Sequence, residues 1–394
     1  MIFKKKYSVI EFGTSKVALA VGSAGGSHSD IMGIGICEYA GFRDNEWLAP
    51  EHLEESIYLA KKDAEFKTGK RILNVYALVP GEFTRSFFSH LTSKPFNIDG
   101  RIASVDIEKM IDDGKHDLPW PDDYEIIHVS PMLYLLDGMS WRKYPEGAYA
   151  KDLECFVSYT AADKVFMDNI TAMLDEVGLG VQGFIAAPKA TGELIFEESD
   201  KKTVIIMDTG YFSTDILIYE NGGIIIHDNI PIGGYHIASD IMVKLGLDRD
   251  RAEFVKKSCS IGMDNIGVNK VIVDEDGTRI SFPTGDTQEI IEARVDELTD
   301  IMMQLVEKSG MQVSNRTILF LTGGGIAQIK GIREYITRNT RMNTRVFTPS
   351  RPIISTPMQA GVCAGLEYVI STKGLVNNID FYNYENNDYD FNLA

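Results

Sequence analysis

Three short glycine-bearing segments carry residue types suited to a phosphate and a cation, and each follows an apolar run. They read Glu11-Phe12-Gly13-Thr14-Ser15-Lys16, Asp208-Thr209-Gly210-Tyr211-Phe212-Ser213-Thr214 and Thr322-Gly323-Gly324-Gly325. Glycine lets a backbone approach a phosphate closely, and successive N–H groups in a turn form a concave anion site. Carboxylates such as Glu11 and Asp208 suit a hydrated divalent cation, which takes oxygen ligands. Alone, each turn reads as a tight connection; three together, two with an acid ahead of the glycine, point to a site. Neither GxxxxGK[ST] nor GxGxxG occurs, so the standard nucleotide fingerprints are absent. Glu253 and Lys256 fall on one side of a helix, and spacing alone reads them as a surface ion pair. His236, after Gly233-Gly234-Tyr235, reads as a packing or capping residue.

These turns need rigid flanks. Residues 202–237 supply them most clearly: an apolar run at 204–207, the turn opened by Asp208, a second run at 216–219, a hairpin signal at Asn221-Gly222-Gly223, and a third run before Gly233. Strand, turn, strand holds a loop rigidly on a sheet. Runs at 7–10 and 17–21 flank the first turn in the same way; aligned on the glycines, the second turn is read as two residues longer. A third apolar run, 318–321, precedes Gly323. Helices are predicted from Pro50 (stripe Leu53, Ile57, Ala60, Ala64), over 162–177, 185–196, 237–244, 249–257 and 287–309, from Gly331, and over 358–370. Strands are predicted at 73–79, at 345–347 and in a hairpin of 270–273 with 279–282. Between 82 and 160 the character changes to a small α+β unit, with strands at 87–91, 125–130, 132–136 and 153–159 and a helix at 106–114. The tail after Ser371, rich in Asn, Asp and Tyr, reads as disordered.

With 394 residues the chain has room for two or more domains. Its 44% hydrophobic and 24% charged residues are those of a soluble globular protein. A net charge of −18 argues against nucleic-acid partners and against non-specific docking on an anionic membrane. The cysteines (37, 155, 259, 363) are scattered and form no CxxC pair, which reads as reduced thiols in a cytosolic setting. The histidines make no HExxH-type cluster, so no transition-metal site is visible. The first residues, MIFKKK, carry three lysines but no signal-length apolar core, and no run reaches membrane-spanning length.

On this ordered set the chain resembles the actin-like ATPase superfamily, its first two turns matching the phosphate loops and LTGGGIAQIKGI (321–332) the adenosine motif. Within it the chain is similar to the FtsA family of bacterial cell-division proteins. Residues 125–161 resemble that family's inserted subdomain, IPIGGYHIASDI (230–241) and AEFVKK (252–257) its second half, and IIEARVDEL (290–298) the long helix beside its partner-binding face. The likeness spans roughly 7–370. The resemblance implies an α/β fold, actin-like and two-lobed, with an FtsA-type inserted α+β subdomain. It divides the chain into a first lobe (1–81, 161–200, closing helix 351–370), the insertion (82–160), a second-lobe core (201–240, 310–350), a small second-lobe subdomain (241–309) and a disordered acidic tail (371–394).

The resemblance also assigns roles. Gly13, Thr14, Ser15 and Lys16 face the phosphates of ATP from one lobe, and Gly210, Ser213 and Thr214 face them from the other. Asp208, with Glu11, holds Mg²⁺ through water. Gly233, Gly234, Glu253, Lys256, Gly323, Gly324 and Gly325 take the adenosine. Arg294 lies near the groove that takes the C-terminal tail of FtsZ, where it can pair with an acidic peptide. The implied function is an ATP-binding protein that polymerises with itself, links FtsZ to the division site at the cytoplasmic face of the membrane, and contacts later division proteins. Four features depart from the family pattern: Glu11 for Asp, Tyr211 and Phe212 in a glycine run, Ala187 where an acid or amide often stands, and an acidic tail for a basic amphipathic helix. The first three imply nucleotide binding with at most weak hydrolysis; the last argues against membrane anchoring by that route. The competing readings are a PilM-like pilus-assembly adaptor, a pseudo-ATPase scaffold and a small-molecule kinase of the same superfamily.

Overall fold

The computed structural model describes residues 5–374 apart from 26–28, 40, 44–45, 200, 263–267, 275, 312 and 314–316. The chain opens as an antiparallel meander of β1 (Lys6–Phe12), β2 (Lys16–Ala24) and β3 (Ser29–Glu38). A short pair, β4 (Phe42–Arg43) and β5 (Glu46–Trp47), leads to α1 (Leu53–Thr68), and β6 (Asn74–Val79) returns parallel to β1. Helix α1 buries the predicted stripe of Leu53, Ile57, Ala60 and Ala64 and ends at left-handed Gly69 (φ 62°). It lies so close to β3 that a Cβ on Gly35 would sit 2.0 Å from the Ala60 carbonyl oxygen.

An inserted unit follows: β7 (Thr84–Ser93), α2 (Ser104–His116), β8 (Tyr124–Leu136), β9 (Ser140–Arg142) and β10 (Leu153–Asp163), with sheet order β7-β10-β8-β9. The sequence reading splits β8 at Pro131, but the strand is continuous. Pro131 faces Val157 where the pairing with β10 slips by one residue, a bulge that tolerates the missing N–H. Next come α3 (Lys164–Glu176), β11 (Gly180–Ala186) and α4 (Ala187–Ser199). The helix expected from residue 185 therefore starts later. Residues 180–186 instead add a parallel strand beside β6 and complete a five-stranded sheet, β11-β6-β1-β2-β3.

The second lobe runs through β12 (Thr203–Thr209), β13 (Thr214–Glu220), β14 (Gly223–Ile230), α5 (Gly234–Leu245), α6 (Arg249–Ser258), the hairpin β15 (Asn269–Val273) and β16 (Arg279–Pro283), α7 (Thr284–Lys308), β17 (Ile318–Thr322), α8 (Ile332–Thr340) and β18 (Asn343–Val346). Its sheet order is β14-β13-β12-β17-β18. The last helix, α9 (Ala360–Gly374), crosses back to the first lobe and extends past the expected end at Ile370; the remainder of the acidic tail lies outside the described residues. Helices α4 and α9 form the layer between the two large sheets. One buried cluster joins Val9, Ala20 and Leu78 of the first sheet to Leu194, Cys363 and Leu366 of these helices and to Ile206, Leu217 and Phe320 of the second. Helices α5 to α8 pack outside the second sheet, and α1 with α3 outside the first.

The insertion is tied to both lobes by polar contacts. The Ile224 N–H donates to Ser158 Oγ (3.1 Å), and the Ala186 N–H donates to His128 Nε2 (3.0 Å). Because Nε2 accepts, the neutral imidazole carries its proton on Nδ1, which faces the Tyr368 hydroxyl at 3.2 Å. Burial, followed by the Lys189 charge, lowers the His128 pKa to about 3. The unfolded chain thus binds a proton near pH 6.5 that the folded chain refuses, so stability is lost as pH falls from 6.5 toward 3. Urea unfolding should show wild type losing stability between pH 6.5 and 5, by at most about 1.4 kcal/mol per unit, with a flatter dependence in His128→Gln. Equal slopes would contradict this account.

Candidate functional site

The two strand-turn-strand segments are equivalent in length. Phe12 pairs with Val17 and Thr209 with Thr214, leaving four residues between partners in both hairpins. Each turn closes with the same bond, Gly13 N–H to Lys16 O at 2.9 Å and Gly210 N–H to Ser213 O at 2.8 Å. The two extra residues expected in the second turn do not exist as loop, because Thr214 and Asp215 already belong to β13. Glu11 thereby corresponds to Asp208, and Lys16 to Ser213.

The turns face each other and are joined by one side chain. Thr14 Oγ1 accepts the N–H groups of both Tyr211 and Phe212, each at 3.1 Å. Thr14 is held from behind by left-handed Gly41 (φ 75°), where a Cβ would lie 1.9 Å from the Thr14 carbonyl oxygen, and Tyr39 donates its hydroxyl to Gly13 O at 2.8 Å. The Ser15 carbonyl takes the Tyr39 N–H at 3.1 Å. Tyr211 and Phe212 meet the Tyr235 ring in tilted and edge-to-face contact at 5.4 and 4.9 Å, and the Arg43 guanidinium lies over Phe212. Thr214 is fully buried with its hydroxyl donated to Ile232 O at 2.6 Å, so that side chain is turned away from the cleft.

Acids line the cleft floor. Lys16 Nζ lies 3.5 Å from Glu11 Oε2 and donates to Met358 O, and Glu11 Oε2 is buried with no hydrogen-bond partner. Asp208 is pushed up to about 7, first by burial, then by the neighbouring Asp215 and Glu11 charges, with Lys16 opposing. Among the described residues no three His, Cys, Asp or Glu side chains are grouped to hold a metal ion directly. The carboxylates of Glu11 and the buried Asp208 are oxygen donors of the kind a hydrated divalent cation takes. Glycines allow the close approach: a Cβ on Gly323 (φ 83°) would lie 2.4 Å from Asp208 Oδ1, and one on Gly361 2.2 Å from Glu11 Oε1.

Asp215 was not singled out from the sequence. Its Oδ1 meets His227 Nε2 at 3.0 Å and the Asn229 amide at 2.9 Å, and a Cβ on Gly81 would lie 1.8 Å from it. The partners come from β14 and from the other lobe, so only the fold brings them together.

The adenosine-type residues surround the second turn. Gly325 donates its N–H to Thr209 O (2.8 Å) and Gly234 donates its N–H to Gly210 O (3.0 Å). Gly233 packs on the Tyr211 carbonyl, and its N–H reaches His236 Nδ1 at 3.0 Å; Gly324 lies against Met358. Glu253 and Lys256 do not form the surface pair that spacing suggests. Lys256 is 1% exposed and bonds both Glu253 Oε1 (2.7 Å) and Gly234 O (3.0 Å), while Glu253 Oε2 is buried without a hydrogen-bond partner. The Lys256 pKa is lowered, chiefly by burial, with the Glu253 carboxylate opposing the shift. Arg294, on α7, is already paired: Nε and Nη2 to the Asp240 carboxylate (2.7 and 3.3 Å) and Nη1 to Glu297 (2.9 Å).

Replacing Thr14 by Val leaves two amides without their acceptor, at about 1–3 kcal/mol for a buried group. Thr14→Val should lower nucleotide-free stability by about 2 kcal/mol and Thr14→Ser by under about 0.5 kcal/mol, measured by urea unfolding. Equal effects would show the hydroxyl is not the link.

A family model described as "Cell division protein FtsA" matches residues 205–364, and one described as "SHS2 domain inserted in FTSA" matches 87–160. The chain is 27% identical over 350 residues to the cell division protein FtsA of Neisseria meningitidis, covering 87% of this chain and 83% of that one. It is 26% identical over 353 residues to FtsA of Escherichia coli, covering 86% and 83%. Among solved structures it is similar in fold to the PilM-PilN type IV pilus biogenesis complex (TM-score 0.65, 15% identity, covering 92% of this chain and 98% of that chain). It also resembles MreB5 of Spiroplasma citri bound to ADP (TM-score 0.52, 12% identity, 94% and 97%). These structural likenesses establish the actin-like fold.

Proposed function

The chain belongs to the FtsA family of bacterial cell-division proteins, and on that premise we propose that it binds ATP with Mg²⁺ between its lobes and uses the bound state to assemble and to hold FtsZ. The observation that carries this reading is the pair of equal glycine turns joined through Thr14, each with a carboxylate two residues before its glycine. The amides of Tyr211 and Phe212 converge on one acceptor, as they would on a phosphate oxygen. The backbones of Gly13, Ser15, Gly210 and Ser213 border the same space, and Lys16 is the cation there.

Asp208 and Glu11 would hold Mg²⁺ through its water. Bound there, the ion neutralises charge on the phosphates and on the two acids. Glu11 Oε2, which lies 3.5 Å from Lys16 Nζ and makes no hydrogen bond, would lie at the phosphate end of the site, and Glu253 Oε2, also without a hydrogen bond, at the adenosine end. Gly323 to Gly325, Gly233 and Gly234 offer backbone to the adenosine, and Lys256 positions Glu253. Hydrolysis is slow at most: Ala187 opens α4 without a side chain to orient water, and positioning supplies most of such catalysis. Arg294 would exchange Asp240 for an acidic residue of the FtsZ tail. The setting is a filament of copies at the cytoplasmic face of the division site, with later division proteins as further partners.

Calorimetry tests both halves. ATP with Mg²⁺ should bind wild type and bind Asp208→Ala at least about ten-fold more weakly, a loss of about 1.4 kcal/mol or more. An FtsZ tail peptide should bind wild type and lose at least about ten-fold with Arg294→Ala. Absence of either interaction in wild type would remove that half of the reading.

A further inference from the structure

An open cavity of about 770 Å³ lies between α8 and β18. Ile329, Ile332 and Val346 form its apolar wall, and Arg333, Thr337 and Arg345 its polar lining; no residue of the three glycine turns borders it. The edge of β18 is closed at this point, since the Thr344 N–H donates to Thr337 Oγ1 of α8 at 3.3 Å. What the cavity offers a ligand is therefore side chains. Thr344 also lines it; the residue is 2% exposed and its Oγ1 has no hydrogen-bond partner. A hydroxyl buried in this way carries the cost of its lost water until a partner reaches it.

The charge here runs opposite to that of the whole chain. Residues 330–346 hold Lys330, Arg333, Arg338, Arg341 and Arg345 against the single acid Glu334, in a chain of net charge −18. All five cations are exposed. Arg338 lies over the Tyr335 ring, and Arg333 pairs with its neighbour Glu334 in the open, where such a pair is easily exchanged. Lys330, Arg341 and Arg345 make no ion pair among the described residues. A guanidinium fork takes two phosphate oxygens at once, and two such forks line this cavity. The apolar wall beside them suits a ligand with an apolar body rather than a bare ion.

We propose that this groove binds a phosphate ester carried on an apolar body. The phosphate takes the Arg333 and Arg345 guanidinium groups and accepts the Thr344 hydroxyl, and the apolar body lies on Ile329, Ile332 and Val346. Val346 is 40% exposed, so the apolar wall reaches the surface and a ligand can enter from there. A membrane phospholipid and a free phosphate ester share this chemistry: the first offers its head and the upper part of its chains, the second enters whole. Binding here needs neither a nucleotide in the cleft nor FtsZ, so it is independent of the function proposed above.

The test uses the full chain without nucleotide. Calorimetry compares hexyl phosphate with inorganic phosphate, and flotation compares vesicles of phosphatidylcholine with vesicles that also contain phosphatidylglycerol. Hexyl phosphate should bind at least about ten-fold more tightly than inorganic phosphate. The exposed charge reversals Arg333→Glu with Arg345→Glu should weaken it at least about ten-fold without lowering the melting temperature. Thr344→Val should weaken binding yet leave the free protein at least as stable, because it removes a hydroxyl that has no partner. Flotation with the phosphatidylglycerol vesicles alone, lost in the double reversal, identifies the ligand as a membrane lipid; hexyl phosphate binding without flotation identifies it as a free ester. No preference for hexyl phosphate over inorganic phosphate, or binding unchanged by the reversals or by Thr344→Val, would overturn the proposal.

Discussion

The hydroxyl of Thr14 links the lobes at the floor of the cleft. It belongs to the first lobe, and it accepts two successive backbone amides of the second. Each turn is otherwise self-contained, closed by its own glycine N–H. The relative position of the turns thus depends on a neutral three-centre contact, easily exchanged for a stronger acceptor. A charged oxygen in the same place would make charge-assisted bonds, about twice as strong as neutral ones. The bond that joins the two turns is also the one for which an anion in the cleft would compete.

Electrostatics pull the same way. Glu11, Asp208 and Asp215 crowd a cleft in which Lys16 is the opposing cation acting on Asp208, and the Asp208 pKa is raised first by burial and then by the neighbouring Asp215 and Glu11 charges. Like charges in a desolvated site are relieved by a cation or a proton. The glycines explain why the crowding is possible: side chains at Gly81, Gly323 or Gly361 would overlap Asp215, Asp208 or Glu11. Lys256 plays the matching part at the other end, where its buried ammonium ties α6 to the start of α5 and leaves one Glu253 oxygen unpartnered.

Part of this was legible in the sequence because three glycine-bearing turns follow apolar runs, two of them with an acid two residues ahead of the glycine. The three turns, the helical stripe of α1 and the separate character of 82–160 could all be read from residue type and spacing. What escaped had physical reasons. β3 carries Gly33 and Gly35 where α1 lies against it, which erases the apolar signal of a strand. β11 runs without a break into α4, so its apolar end read as helix. Ser213, Thr214 and Asp215 read as loop because they are polar, although the last two begin β13 and Asp215 borders the cleft. Asp215 was invisible as a site residue because His227, Asn229 and Gly81 reach it only in the fold. The Glu253 and Lys256 pair read as surface by spacing; the resemblance to a family, not the spacing, placed it inward.

The layered arrangement makes the cleft a shared property of both lobes. Helices α4 and α9 are core to both sheets, and the insertion touches the second lobe through Ser158 and Ile224 and the first through His128 and Ala186. The most direct test is amide hydrogen exchange with and without ATP and Mg²⁺. The account predicts slower exchange together in 11–16, 208–215 and 323–325 when nucleotide is added. Unchanged exchange in all three segments at saturating nucleotide would contradict it.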